Sequence, residues 1–77
     1  MKVAVIYGNE VLLIDKGLLE EKNVIVVETR FKVLLEGVVY TAYRYVDKGG
    51  LEEIEKIYNN LKCNIYTLKD KLVKEQV

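Results

Sequence analysis

The chain has 77 residues, one cysteine and balanced charge, with 12 Lys and Arg against 12 Asp and Glu. Such a length suits one domain, 1–77, a lone cysteine excludes an intramolecular disulfide, and neutrality removes the basic field of a general nucleic-acid coat. Because His and Ser are both absent, no Ser-His-Asp or Cys-His arrangement can form within one chain.

Lys2 to Tyr7 and Glu10 to Asp15 read as two strands joined by Gly8-Asn9, a pair suited to a two-residue hairpin turn. Counting back from the turn pairs Ile6 with Val11, Val5 with Leu12, Ala4 with Leu13 and Val3 with Ile14. Val3, Val5, Leu12 and Ile14 then share one face, and Ala4, Ile6, Val11 and Leu13 the other, so both faces are apolar. The chain has little helix to cover a second face, so that face is expected to meet another subunit.

Lys16 to Asn23 reads as a connector with Gly17 at a turn and Leu18 to Glu21 able to form one helical turn. From Val24 to Leu35 the odd positions Ile25, Val27, Phe31, Val33 and Leu35 are apolar, while Glu28, Arg30 and Lys32 interleave, which is strand periodicity. Glu36-Gly37 supplies a second two-residue turn, and Val38 to Val46 is rich in β-branched and aromatic residues. The count from that turn pairs Leu35 with Val38, Val33 with Tyr40 and Phe31 with Ala42. Phe31, Leu34, Leu35, Val38, Ala42 and Val46 also fall at helical spacing, so a helix over 31–46 competes with the hairpin. Gly37 and five β-branched residues weigh against it.

Asp47 to Gly50 breaks the pattern as a loop, and Leu51, Ile54, Ile57, Tyr58 and Leu61 then mark one face of a helix from Leu51 to Lys62. Glu52, Glu53 and Glu55 near its start and Lys62 near its end suit the helix dipole. Cys63 to Tyr66 reads as a short strand, followed by a final helix capped by Thr67 and Asp70. The predicted fold is α+β: two antiparallel hairpins in a four-stranded sheet, packed by a C-terminal helix, with a short terminal strand or helix.

No metal, cofactor or catalytic set is implied by these residues. A single Cys cannot build a zinc site, and Cys63 reads as a small buried hydrophobe. Gly49-Gly50 lacks the spacing of a phosphate loop, and Glu52 and Glu53 already occupy the adjoining helix end. The distinctive surface feature is the outward face of the second hairpin, which should carry Glu28, Arg30, Lys32, Thr41, Tyr43 and Tyr45, with Arg30 opposite Tyr43. Arg30, Lys32, Tyr43 and Tyr45 are the candidate binding residues: aromatics beside cations on a sheet suit stacking of single-stranded bases and phosphate contact. They equally suit sheet decoration or a protein interface. Lys69, Lys71 and Lys74 form a milder basic cluster that reads as a solvated face.

Ala4 to Glu28, through Tyr7, Val11-Leu12, Leu19-Glu20-Glu21 and Val24, is similar to the β-hairpin opening of small archaeal antitoxin-type proteins, and implies no activity or residue role here. No export pattern opens the chain and no uncharged run approaches the ~20 residues that span a bilayer, so a cytoplasmic protein is expected, with no membrane partner. Abundant Glu, Lys, Val and Ile with a single Gln lean thermophilic. The functional expectation is a small non-catalytic interaction module acting as a homo-oligomer, a dimer first. Single-stranded nucleic-acid or nucleotide binding is the alternative, and a small enzyme with a site at a subunit interface the third.

Overall fold

A computed structural model describes residues 1–73 of the chain. Strands β1 (Lys2–Tyr7) and β2 (Glu10–Asp15) form the first hairpin in the register counted from its turn, Lys2 opposite Asp15 through Tyr7 opposite Glu10. Gly8 sits at φ +60° while Asn9 keeps a negative φ, the pattern of a type II′ turn. The second hairpin pairs β3 (Val26–Leu35) with β4 (Val38–Tyr45), so the helical alternative for 31–46 is not realised. Its turn has both Glu36 and Gly37 at positive φ, as type I′ requires.

Two helices cover or connect these strands. Asp15 opens α1 (Lys16–Glu21) by accepting from the Gly17 N–H at 2.9 Å. Asp47 opens α2 (Lys48–Asn59) by accepting from the Gly50 N–H at 2.8 Å, so this helix begins earlier than its apolar periodicity suggests. An Asp before the first turn satisfies one of the four N–H groups that a helix start leaves free. Both helices end alike: Asn23 at φ 57° and Leu61 at φ 53° take the left-handed conformation. The N–H groups of Val24 and Lys62 then reach back to the Leu19 and Ile57 carbonyls.

After α2 the chain adds β5 (Asn64–Thr67), one 3₁₀ turn (Leu68–Asp70) and β6 (Leu72–Val73). The final helix expected from Thr67 is therefore a single turn leading into a strand. Thr67 makes no side-chain cap bond there. The rest of that expected helix, with Lys74, lies outside the described residues. The sheet has six strands in the order β5-β2-β1-β4-β3-β6, with β1 and β4 parallel. The two expected hairpins thus form its centre, and two short strands extend it at the edges.

The sheet curls, and this changes what covers the first hairpin. On one face Val5, Leu12 and Ile14 pack with Leu19 and Val24 under Ile54 and Ile57 of α2. On the other, Ala4, Val11 and Leu13 pack against Val33, Leu35 and Ala42 of the second hairpin. Tyr66 and Leu68 close that inner core from the side. Val11 and Ala42 are fully buried, so the face expected to lie open is filled by the chain itself. Ala4 and Ala42 are register partners across the parallel β1–β4 pair, and two small side chains there leave the interior room for the larger ones around them. Among the described residues no helix is long and apolar enough to cross a membrane.

Candidate functional site

The outward face of β3–β4 departs from the expected register. Lys32 pairs with Thr41 and Val33 with Tyr40, but Glu28, not Arg30, lies opposite Tyr43. The Thr29 hydroxyl explains the shift: it donates to the Ala42 carbonyl at 2.6 Å and accepts from the Phe31 N–H at 3.2 Å. A side-chain hydroxyl that satisfies backbone groups in this way holds a bulge of Thr29, Arg30 and Phe31 in β3. The pairing of Arg30 with Tyr43 and of Phe31 with Ala42 is corrected accordingly.

The four candidate binding residues are therefore spread apart. Arg30 is exposed on the bulge. Lys32 is half-buried, and its ammonium donates to the Thr41 hydroxyl at 2.9 Å. Tyr43 stands half-exposed beside Glu28. Tyr45 packs against the α2-covered core, its Cβ where a Cβ on Gly50 would come within 3.5 Å. Lys32 and Tyr43 share a face, while Arg30 and Tyr45 do not join them as a cation-aromatic pair.

What the outward face carries instead is apolar. Side chains alternate along a strand, so Val39, Thr41 and Tyr43 of β4 share that face, and Leu34 stands opposite Val39. Leu34 is 44% exposed and Val39 58%. Val38, Leu72 and Val73 at the same end of the sheet are exposed as well. Period-two counting from Tyr43 reaches Val39, and from Lys32 reaches Leu34, so strand alternation alone carries the signal for this apolar pair. Tyr43 on this face also lines an open groove of about 370 Å³ with Val3, Val24, Val26, Lys16 and Glu20.

A second cluster, not anticipated from sequence, joins α2 to the first turn. The Tyr58 hydroxyl donates to Glu10 Oε1 at 2.8 Å, and the Tyr7 and Tyr58 rings lie 5.0 Å apart at 42°. The hydrogen bond to Glu10, then its charge and burial, raises the Tyr58 phenol. Burial first, then Glu55 and Glu10, raises Tyr7. Burial and Glu10 push the Cys63 thiol up as well. All three groups are thereby held protonated at neutral pH, so none is an activated base or nucleophile. Ring centroids only 5.0 Å apart also leave no gap for a ligand between them. The cluster ties α2 to the sheet.

A third recess, about 90 Å³, lies between the helices and is lined by Lys22, Lys56 and Lys62 with Asn60 and Glu53. Both helix C-termini converge there, and their carbonyl ends disfavour an anion; lysines at such ends complement the dipole. Lys56 is paired with Glu53 at 3.4 Å. Among the described residues no three His, Cys, Asp or Glu converge as metal ligands. The chain matches no protein-family model, no curated protein and no solved structure.

Proposed function

We propose that this chain is a non-catalytic interaction module that works as a homo-oligomer, a dimer first. The observation that carries the reading is the apolar end of the outward β3–β4 face, where Leu34 and Val39 stand about half exposed beside Val73 of β6, with Val38 and Leu72 exposed at the same end of the sheet. Exposed apolar side chains gathered at one place, with polar neighbours around them, mark a contact surface. Glu28, Lys32 and Thr41 provide such neighbours on the same face. The chain's composition supports the non-catalytic part, since it lacks the imidazole and serine on which most proton relays and nucleophiles are built.

Binding of single-stranded nucleic acid through Arg30, Lys32, Tyr43 and Tyr45 has less support. Glu28 sits opposite Tyr43, where a phosphate would have to approach, and Lys32 is engaged by Thr41. Salt-dependent oligonucleotide binding lost in Tyr43→Ala would reverse this order.

Light scattering on the eluting peak of a sizing column, at low and at high salt, tests the reading. Two chains per particle, unchanged by salt, is the expected result. A single chain at every concentration overturns it.

A further inference from the structure

Tyr7 and Glu10 are register partners on either side of the Gly8-Asn9 turn. Tyr58, in the last turn of α2, donates its hydroxyl to that same Glu10, 2.8 Å from Oε1. The two rings meet with centroids 5.0 Å apart and planes inclined at 42°, so their edges converge on one side. Among the described residues no other aromatic rings lie together in this way. Both tyrosines are half-buried, which leaves them within reach of an oxidant in solution.

The surroundings favour removal of an electron from this pair. A phenol that gives up an electron also releases its proton, and a carboxylate already hydrogen-bonded to the hydroxyl takes that proton without rearrangement. Glu10 is that carboxylate for Tyr58. Glu55 and Glu10 also place negative charge beside Tyr7. Negative charge assists the departure of an electron by simple Coulomb repulsion.

We propose that Tyr7 and Tyr58 are an oxidative cross-linking site, joined by a carbon–carbon bond when a peroxide acts through a haem peroxidase. Each tyrosine loses one electron and its phenolic proton, that of Tyr58 to Glu10 and that of Tyr7 to water. The two radicals couple at ring carbons next to the hydroxyls. Each coupled carbon then sheds its hydrogen as a proton while the phenol oxygen regains one, which restores both aromatic rings. The chain loses two hydrogens in all, and one hydrogen peroxide takes them up as it becomes two waters. The new bond ties α2 covalently to β1. It is independent of the homo-oligomer reading.

Treatment of the whole chain with hydrogen peroxide and a haem peroxidase, then tryptic digestion and mass spectrometry, tests it. Cleavage after Lys2, Lys16, Lys56 and Lys62 leaves Tyr7 and Tyr58 in separate peptides, 3–16 and 57–62. The expected product is these two peptides joined, lighter than their sum by two hydrogens and fluorescent as dityrosine. It should form within single chains, with a yield unchanged on dilution. Tyr7→Phe and Tyr58→Phe should each abolish it, while Tyr40→Phe leaves it intact. Glu10→Gln still offers an acceptor oxygen but takes up no proton, and should slow the link by about tenfold or more. An unchanged rate there would overturn the part assigned to Glu10. The thiol of Cys63, packed against the same core, is a rival reductant. A link that forms only in Cys63→Ala would show that the thiol quenches the radical first, which overturns the site in the native chain. Absence of the joined peptides, or links among the other tyrosines in equal yield, also overturns it.

Discussion

Replacing Val11 by Ala distinguishes a core closed by the chain itself from one closed by a partner. Val11 is fully buried on β2, opposite Ile6 on one side and Tyr66 on the other, facing Val33, Leu35 and Ala42. The substitution removes two methyl groups, about 1.6 kcal/mol of transfer free energy, and the residual cavity brings the loss to about 2–3 kcal/mol. A domain of 77 residues has a total stability of roughly 4–12 kcal/mol. The expected fall in Tm is about 10–20 °C. Thermal and urea unfolding across a dilution series provides the assay, and the deficit should be the same at every protein concentration. Val39→Ala is the control: in dilute solution an exposed valine changes stability by about 0.5 kcal/mol or less, and its effect should grow where dimers form. A Val11→Ala deficit that shrinks on dilution, or one no larger than that of the control, would mean that the inner face is closed by another subunit, and the reasoning from curl would fail.

Two further substitutions test local assignments. Glu10→Gln should lower the alkaline titration midpoint of Tyr58 towards the ordinary 10.0, because the hydrogen bond to Glu10 is the largest cause of its elevation. A phenol raised in the folded state contributes stability that is complete below pH 10 and lost as pH rises through the folded value, so the variant should also lose stability less steeply in alkali. Ultraviolet titration of tyrosinate, with Tyr58→Phe to assign the signal, checks this; an unmoved midpoint would remove Glu10 as the cause. Asp47→Ala should cost about 1 kcal/mol by freeing the Gly50 N–H, while Asp47→Asn keeps most of the cap, as chemical denaturation would register. Equal losses in the two variants would show that the carboxylate's charge, and not its acceptor oxygen, matters there.

Much of the local structure was legible because single residues dictate it. Gly8-Asn9 and Glu36-Gly37 fixed both turns, and a turn fixes register outward from itself until something interrupts the ladder. The interruption in β3 comes from the Thr29 hydroxyl, which binds a carbonyl thirteen residues away, a contact that no local pattern announces. The start of α2 was missed for a related reason: two glycines read as a loop, yet Asp47 caps through them, and the buried Gly50 lets the helix approach Val24 and Tyr45 closely. The candidate site was legible only in part. Strand alternation placed Lys32, Thr41 and Tyr43 together outward, while the bulge removed Arg30 from Tyr43 and the α2-covered core took up Tyr45.

The curl of the sheet also relocates the argument for a partner. Two-sided hydrophobicity of the first hairpin implied a cover, and the cover is the second hairpin, brought over by a parallel β1–β4 pair whose facing alanines leave space inside. That arrangement draws Val33 and Leu35 inward and, since neighbours on a strand alternate, turns Leu34 outward; across the pair it turns Val39 outward with it. Helix α2 spends its apolar face on Val5, Leu12 and Ile14, so it gives no cover to this end of the sheet. Every residue that the chain buries by folding β3 over the first hairpin thus commits its neighbour to solvent or to a second molecule. The proposed partner contact therefore falls at Leu34 and Val39, because Val11 and Leu13 are already covered from within.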